Sequence, residues 1–269
     1  MFAIILDFFK REYRDQYFSK WVWISSILGS SLSLAFYWFT SKAFGSRFAS
    51  LDGSEMDYFT FILVGENALL IPLALMNSFT QSIRTVADDG VLDVMLISQR
   101  SFFKSILFMG AMNLSFHFLQ MTITLTFAAL IFGLQIHYTA IPSYLVLLAF
   151  SLPLYIGLGL INTAFIVLVR RGVNFFVTFS VVLSMLSGTY FPIGVFPSWI
   201  QKISLILPYT FFLNLSRELL AGKIGLLEIG PQILLMLLVG SGIFYLGRRF
   251  FQFSIEKYRL RGDPKLFWK

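Results

Sequence analysis

Glu66 is the residue whose position most directly suggests chemistry, because it lies inside a long apolar run. The run extends from Phe59 to Phe79. An acidic side chain within a membrane costs at least about 2.5–3.5 kcal/mol, so such a residue is functional by default. We expect Glu66 to line a water-filled path, to pair with another subunit, or to be protonated. The alternative is a glutamate near the interface that simply reaches water.

His117 has two polar neighbours at helical spacing, Asn113 and Gln120, in another apolar run. No second histidine, cysteine or acid accompanies it, so we predict hydrogen bonds between helices and no metal site. No catalytic residue is predicted, because the sequence lacks a Gly-x-x-x-x-Gly-Lys-Ser/Thr phosphate loop, a His-Glu-x-x-His helix and a Gly-x-Ser-x-Gly elbow. We therefore expect neither an enzyme nor a cofactor on this chain.

The elements that hold these residues are predicted from composition. Hydrophobic residues make up 57% of the chain and charged residues 13%, against about 45–50% and about 25% in soluble proteins. A membrane span needs roughly 20 mostly apolar residues. We predict one all-α integral membrane domain, residues 1–269, with six transmembrane helices. They run from Trp21 to Thr40, Phe59 to Phe79, Ile106 to Leu134, Ser143 to Val169, Val173 to Phe191 and Ile229 to Phe250.

The basic residues predict the orientation. The formal charge is +7, yet lysine and arginine flank the apolar runs and form no exposed stripe, so no nucleic-acid partner is expected. Sixteen of the 21 lie on the side that holds both termini, and five lie on the other. Because cytoplasmic flanks retain positive charge, we predict a multi-pass protein of the plasma membrane (the bacterial inner membrane) with both termini cytoplasmic. Residues 251–269 would form a basic cytoplasmic tail.

Two segments outside the spans are predicted to be amphipathic helices. Residues 1–20 place Phe2, Ile5, Phe9, Tyr13 and Tyr17 on one side, which predicts a helix along the inner interface of the bilayer. It would anchor the chain or dock a partner. The loop 81–104 is longer than a turn needs and combines Leu92, Met95 and Leu96 with acidic residues at 88, 89 and 93. It would fit a groove in a partner or lie on the bilayer.

The stretch 191–222, between the fifth and sixth predicted spans, is not a simple loop. Pro197 suits a helix start, Pro208 would break that helix, and Gly222 suits the end of a second one. Both helices would be too short to cross the bilayer. We therefore predict a re-entrant hairpin that dips into the membrane and returns, the alternative being an outer lid with a packing role.

Two motifs resemble those of type-two ABC exporter permeases. The stretch Asp89-Gly90-Val91-Leu92-Asp93, followed by Met95, Leu96 and Ser98, is similar to the family's loop pattern of an acid, Gly-Thr-Leu-Glu and a leucine pair. It departs from the pattern at Val91 and Asp93. The second motif resembles the family's hairpin. It comprises Phe191, Pro192, Pro197, Trp199, Pro208 and Arg217.

The resemblance implies a permease coupled to a separate ATPase subunit, which would carry ATP and Mg. Asp89, Gly90, Leu92 and Asp93 would belong to a coupling helix seated in that ATPase. It also implies a homodimer, or a pseudo-symmetric heterodimer, with the pathway between the copies. For cargo we expect an amphiphilic drug or lipid, with a polysaccharide as the alternative. Phe175, Phe176 and Phe179 are further candidates for lining the substrate path, since aromatic faces suit both an amphiphile and a sugar chain.

Two other classes of function stay open on the sequence. A channel or proton-coupled carrier would use Glu66 as its titrating group. A structural anchor would use the acidic loop 81–104 to dock an assembly. Transport driven by ATP would distinguish the permease from both.

Overall fold

The computed structural model describes residues 19–52, 56–88, 102–134, 136–169 and 181–261. Within these residues every regular element is a helix. Three predictions fall outside them: nearly all of the interface helix 1–20, the coupling residues, and the aromatic cluster at 175, 176 and 179. The helices are α1 (Lys20–Asp52), α2 (Tyr58–Asp88), α3 (Phe102–Phe132), α4 (Ile141–Val169), α5 (Ser198–Ile206), α6 (Pro208–Leu220) and α7 (Gly230–Arg261).

Five of these helices are long and apolar enough to cross a membrane, and they match the first four predicted spans and the sixth. Their spanning parts are Lys20–Ala43, Tyr58–Ile83, Ile106–Phe132, Tyr138–Val169 and Gly230–Tyr258. Of the fifth predicted span, only the part from residue 181 is described. A count of six spans therefore remains a prediction.

Two helix ends differ from the ends predicted for the fifth and sixth spans. The fifth span was expected to reach Phe191, but its described part is helical only over 181–186. The chain turns at Gly188, which adopts a φ of 83°, a conformation that glycine accepts without steric cost. The hydroxyl of Ser187 bonds back to the Leu183 carbonyl at 2.7 Å, and that of Thr189 to the Ser184 carbonyl at 2.7 Å.

The second difference is at the sixth span, which was predicted to end at Phe250 before a tail. Helix α7 instead continues to Arg261. Phe251, Ile255 and Tyr258 recur at helical spacing and are buried in one apolar cluster with residues of α2, α3 and α4. Packing therefore continues the helix into the residues predicted to form the tail.

The most extensive contact between described helices joins α4 to α7, and glycines lie in it. A Cβ on Gly157 would lie 2.6 Å from the backbone nitrogen of Phe244. A Cβ on Gly240 would lie 3.0 Å from the backbone nitrogen of Leu154, and one on Gly247 would overlap the Gly157 carbonyl. Small residues let helix backbones approach closely in membranes, where dispersion contacts drive helix association.

The two short helices α5 and α6 follow the prediction from proline and glycine. Pro197 is the N-cap of α5, and Pro208 is the first residue of α6. Gly222, with a φ of 69°, follows the last turn of α6. One helix lies at the surface and the other in the core: Trp199 of α5 is 63% exposed, whereas Phe212 of α6 is fully buried.

Candidate transport cleft

One face of α2 lines a cleft of about 610 Å³ in the membrane-spanning part of the protein. Its residues recur at intervals of three and four, so they form one stripe along the helix. At about 1.5 Å per residue the stripe is about 22 Å long from Glu66 to Gln81. The α2 residues of the lining are Glu66, Leu69, Leu70, Leu73, Ala74, Asn77, Ser78, Thr80 and Gln81.

The α2 stripe is polar at its two ends and apolar in the middle. Glu66 lies at one end, and Asn77 and Gln81 lie towards the other. Leucines at 69, 70 and 73 occupy the section between them. Along the helix axis the wall therefore presents a polar section, then an apolar section, then a second polar section.

Helix α3 contributes Asn113, His117 and Gln120 to the wall of the cleft. These residues share one helix face, and the helix approaches α2 closely because Gly110 lies against Phe79. A Cβ at Gly110 would be 2.6 Å from that ring. His117 and Gln120 are hydrogen-bonded to each other within α3, so this bond does not join two helices as predicted.

Helix α4 adds a polar contact at the Gln81 end of the cleft. The side-chain nitrogen of Asn162 donates to the Met76 carbonyl at 3.4 Å, and the hydroxyls of Thr80 and Thr163 are 3.1 Å apart. Asn162 Oδ1 and His117 Nδ1 have no hydrogen-bond partner within the described residues. Buried polar atoms are stabilised by partners, so this wall is suited to hydrogen-bond with an occupant of the cleft.

Glu66 lies beside two tyrosines, of which one bonds it directly. Its carboxyl group is hydrogen-bonded to the hydroxyl of Tyr37 on α1, and Tyr37 is also hydrogen-bonded to Tyr190. Tyr190 and its neighbour Thr189 line the cleft directly. The structure thus brings α1, α2 and the segment after residue 186 together around one carboxyl group.

Arg217 fastens α6 to the Glu66 end of α2. Its guanidinium donates to the carbonyls of Gly188 at 2.9 Å, Thr189 at 3.0 Å and Phe61 at 3.2 Å. The same group stacks on the Phe61 ring at 3.4 Å. Gly65 makes the approach possible, since a Cβ there would lie 2.6 Å from Arg217 Nη2. One side chain therefore joins α2, α6 and the turn that carries Tyr190.

Sequence comparison places this helical architecture in a known family. The family model for the ABC-2 type transporter matches residues 2–221. The chain belongs to the ABC-2 type transporter family. A comparison with curated proteins found no match. An ABC-2 permease is a transport subunit and not an ATPase, and it normally works with an ATPase subunit. The chain is therefore a multi-pass membrane protein of this kind.

The predicted site residues that the structure describes divide between two places in this ABC-2 permease. Glu66 lines the cleft together with Asn113, His117 and Gln120 of α3, which the sequence analysis treated as a separate cluster. The hairpin residues lie elsewhere: Phe191 and Trp199 are 49% and 63% exposed, and Arg217 makes the contact described above. Sequence reasoning missed Asn77 and Gln81, although their spacing from Glu66 continues one helical face. It also missed Tyr37, Tyr190 and Asn162, which only the fold brings to the cleft.

Proposed function

We propose that this permease exports an amphiphilic molecule, a drug or a lipid, from the cytoplasm or the inner leaflet. ATP and Mg would bind to a separate ATPase subunit. The observation that carries the proposal is the cleft, whose α2 wall alternates polar, apolar and polar sections over about 22 Å. Leu69, Leu70 and Leu73 offer an apolar chain a favourable surface, which supports an amphiphile over the alternative of a polysaccharide.

The hairpin is proposed to enter the membrane. The Tyr209 hydroxyl at the start of α6 contacts the sulfur of Met76. Met76 lies about 27 Å along α2 from Tyr58, at the rise of an α-helix. Since the hydrocarbon core is only about 30 Å thick, this depth supports a re-entrant hairpin over an outer lid.

Coupling to the ATPase is proposed to occur at Asp89, Gly90, Leu92 and Asp93. These residues directly follow α2, whose last residue is Asp88. Any displacement of the loop by the ATPase would therefore act on the helix that supplies half of the residues lining the cleft. We propose a homodimer, or a pseudo-symmetric heterodimer, with both termini in the cytoplasm and the loop on the same side.

The test is a reconstituted complex of the permease with the ATPase that co-purifies in mild detergent. Gly90→Trp and Asp93→Lys are expected to abolish ATP-driven transport and its stimulation of ATP hydrolysis. Glu256→Lys makes the same charge change at an exposed position of α7 and should leave both activities intact. Unchanged coupling in the two loop variants would refute the assignment of the loop, and repeated isolation of the chain without an ATPase would refute the proposed energy source.

A gradient-driven carrier is the second candidate function. The observation that favours it is Glu66, a carboxyl group on the cleft wall in hydrogen-bond contact with a tyrosine hydroxyl. It predicts flux that follows a proton gradient without nucleotide and that Glu66→Gln abolishes. Flux that requires ATP in proteoliposomes would exclude it.

A further inference from the structure

We propose that the cleft selects amphiphiles with a cationic headgroup, whose positive charge binds at Glu66 beside Tyr190. The inference rests on the proposed function in that it assigns a substrate class to the same cleft. It concerns binding to this chain, however, and so is testable without the ATPase.

The charges on the cleft wall favour a cation. Among the described residues that line the cleft, Glu66 is the one carboxyl group and none is lysine or arginine. The nearby Arg217 is not part of the lining and is bonded to three backbone carbonyls. An ion pair is far stronger away from water than in it, so a ligand cation would find its opposite charge at Glu66.

The tyrosines beside Glu66 add to this preference. Tyr37 is hydrogen-bonded to both Glu66 and Tyr190, and Tyr190 lines the cleft. Aromatic faces attract ammonium groups, and quaternary ammonium ligands are recognised in this way. A carboxyl group with an adjacent tyrosine ring is therefore suited to an ammonium headgroup and would repel a phosphate or carboxylate headgroup.

The apolar section next to Glu66 specifies the rest of the ligand. Leu69, Leu70 and Leu73 follow on the same helix face and extend about 10 Å from Glu66 along α2. An alkyl or aryl group attached to the cation would lie against them. The order of charge and apolar surface along one wall therefore indicates a single amphiphile and not a free inorganic cation.

The test is saturation binding of radiolabelled decyltrimethylammonium to the full chain in nanodiscs of uncharged lipid. The competitor is its neutral analogue, in which carbon replaces the quaternary nitrogen. The wild-type chain should prefer the cationic ligand by at least about tenfold, which corresponds to about 1.4 kcal/mol. Glu66→Gln should remove this preference, whereas Glu66→Asp, which retains the charge, should keep part of it.

Glu218→Gln is the matched control, because Glu218 is exposed on α6 and does not line the cleft. It should bind like the wild type, and a folded Glu66→Gln variant should still bind the neutral analogue. Equal affinity for the two ligands in the wild type, or an unchanged ratio in Glu66→Gln, would overturn the inference. If ATP-driven export persists in that case, only the substrate class is wrong. Cation selectivity in a chain that no ATPase accompanies would refute the proposed function alone.

Discussion

Replacing Arg217 by lysine tests whether its guanidinium holds the Glu66 end of the cleft together. Arg217→Lys keeps the positive charge but replaces a planar group of five donors by one ammonium nitrogen. The three carbonyls are reached through two nitrogens, Nη1 for Gly188 and Nη2 for Thr189 and Phe61. A single nitrogen cannot occupy both positions, and it also loses the flat stack on Phe61.

The expected cost follows from these contacts. Hydrogen bonds to a charged group contribute about 1.5–3 kcal/mol each in soluble proteins, and bonds between membrane helices contribute less, about 0.6 kcal/mol on average. The stack on Phe61 contributes about 0.5–2 kcal/mol. Loss of the stack and of one or two bonds should destabilise the protein by about 2–4 kcal/mol. For a chain of this size that is a decrease of Tm on the order of 5–10 °C.

The assay is thermal unfolding of the purified protein in mild detergent. The quantity measured at each temperature is the fraction of protein that remains monodisperse. Arg249→Lys is the matched control, because Arg249 is exposed, bonds one hydroxyl at 3.2 Å and lies 5.3 Å from the Tyr245 ring. It should change Tm by no more than about 2 °C, as weak surface contacts do. Equal changes in Tm for the two variants would refute the role assigned to Arg217.

Three further predictions concern helix packing. Gly157→Ala should destabilise the protein by about 1–3 kcal/mol, since its Cβ would meet the α7 backbone at 2.6 Å. The control is Gly242→Ala on α7, which has open space around it and should leave Tm unchanged. Gly222→Ala should lower Tm through its φ of 69° and the His137 ring 2.7 Å from the added Cβ, and an unchanged Tm would contradict this. Thr80→Val and Thr163→Val should show a coupling of about 0.6 kcal/mol in a double-mutant cycle, and additivity would mean that their 3.1 Å contact contributes nothing.

The two short helices of residues 191–222 were predictable from sequence because their boundaries are local. Pro197 and Pro208 each restrict their own backbone and lack an N–H group, which suits the first turn of a helix. Gly222 accepts a left-handed conformation that other residues resist. These constraints act within a few residues, and the structure confirms both helix starts and the turn after α6.

The sequence could not predict that residues of different helices line one cleft. Glu66 and His117 were each noticeable as polar residues in apolar runs, but they belong to different helices. Whether they face one space depends on how α2 and α3 are rotated about their axes, and contacts such as Gly110 against Phe79 fix that rotation. Tyr190 reaches the site because Gly188 turns the chain, a tertiary feature that hydropathy does not report. The end of α7 differs from the predicted end of its span for a related reason: hydropathy indicates where a membrane span ends and not where a helix ends.

Burial favours α2 as the helix through which a signal from the loop would reach the cleft. In its most apolar window 78% of the residues are buried, against 50% for the span of α4, 17% each for α3 and α7 and 6% for α1. One of its faces lines the cleft, Phe61 and Gly65 contact Arg217, and Asp88 ends it directly before the proposed coupling residues. A closely packed helix transmits displacement instead of absorbing it, because protein interiors are dense and poorly compressible. A shift of α2 along its axis would move Glu66 relative to Tyr37 and Tyr190 while also straining the Arg217 contacts. Glu66, whose carboxyl group is proposed to bind the cation, is thus on α2. This helix also contacts Arg217 of α6 and leads into the proposed coupling loop.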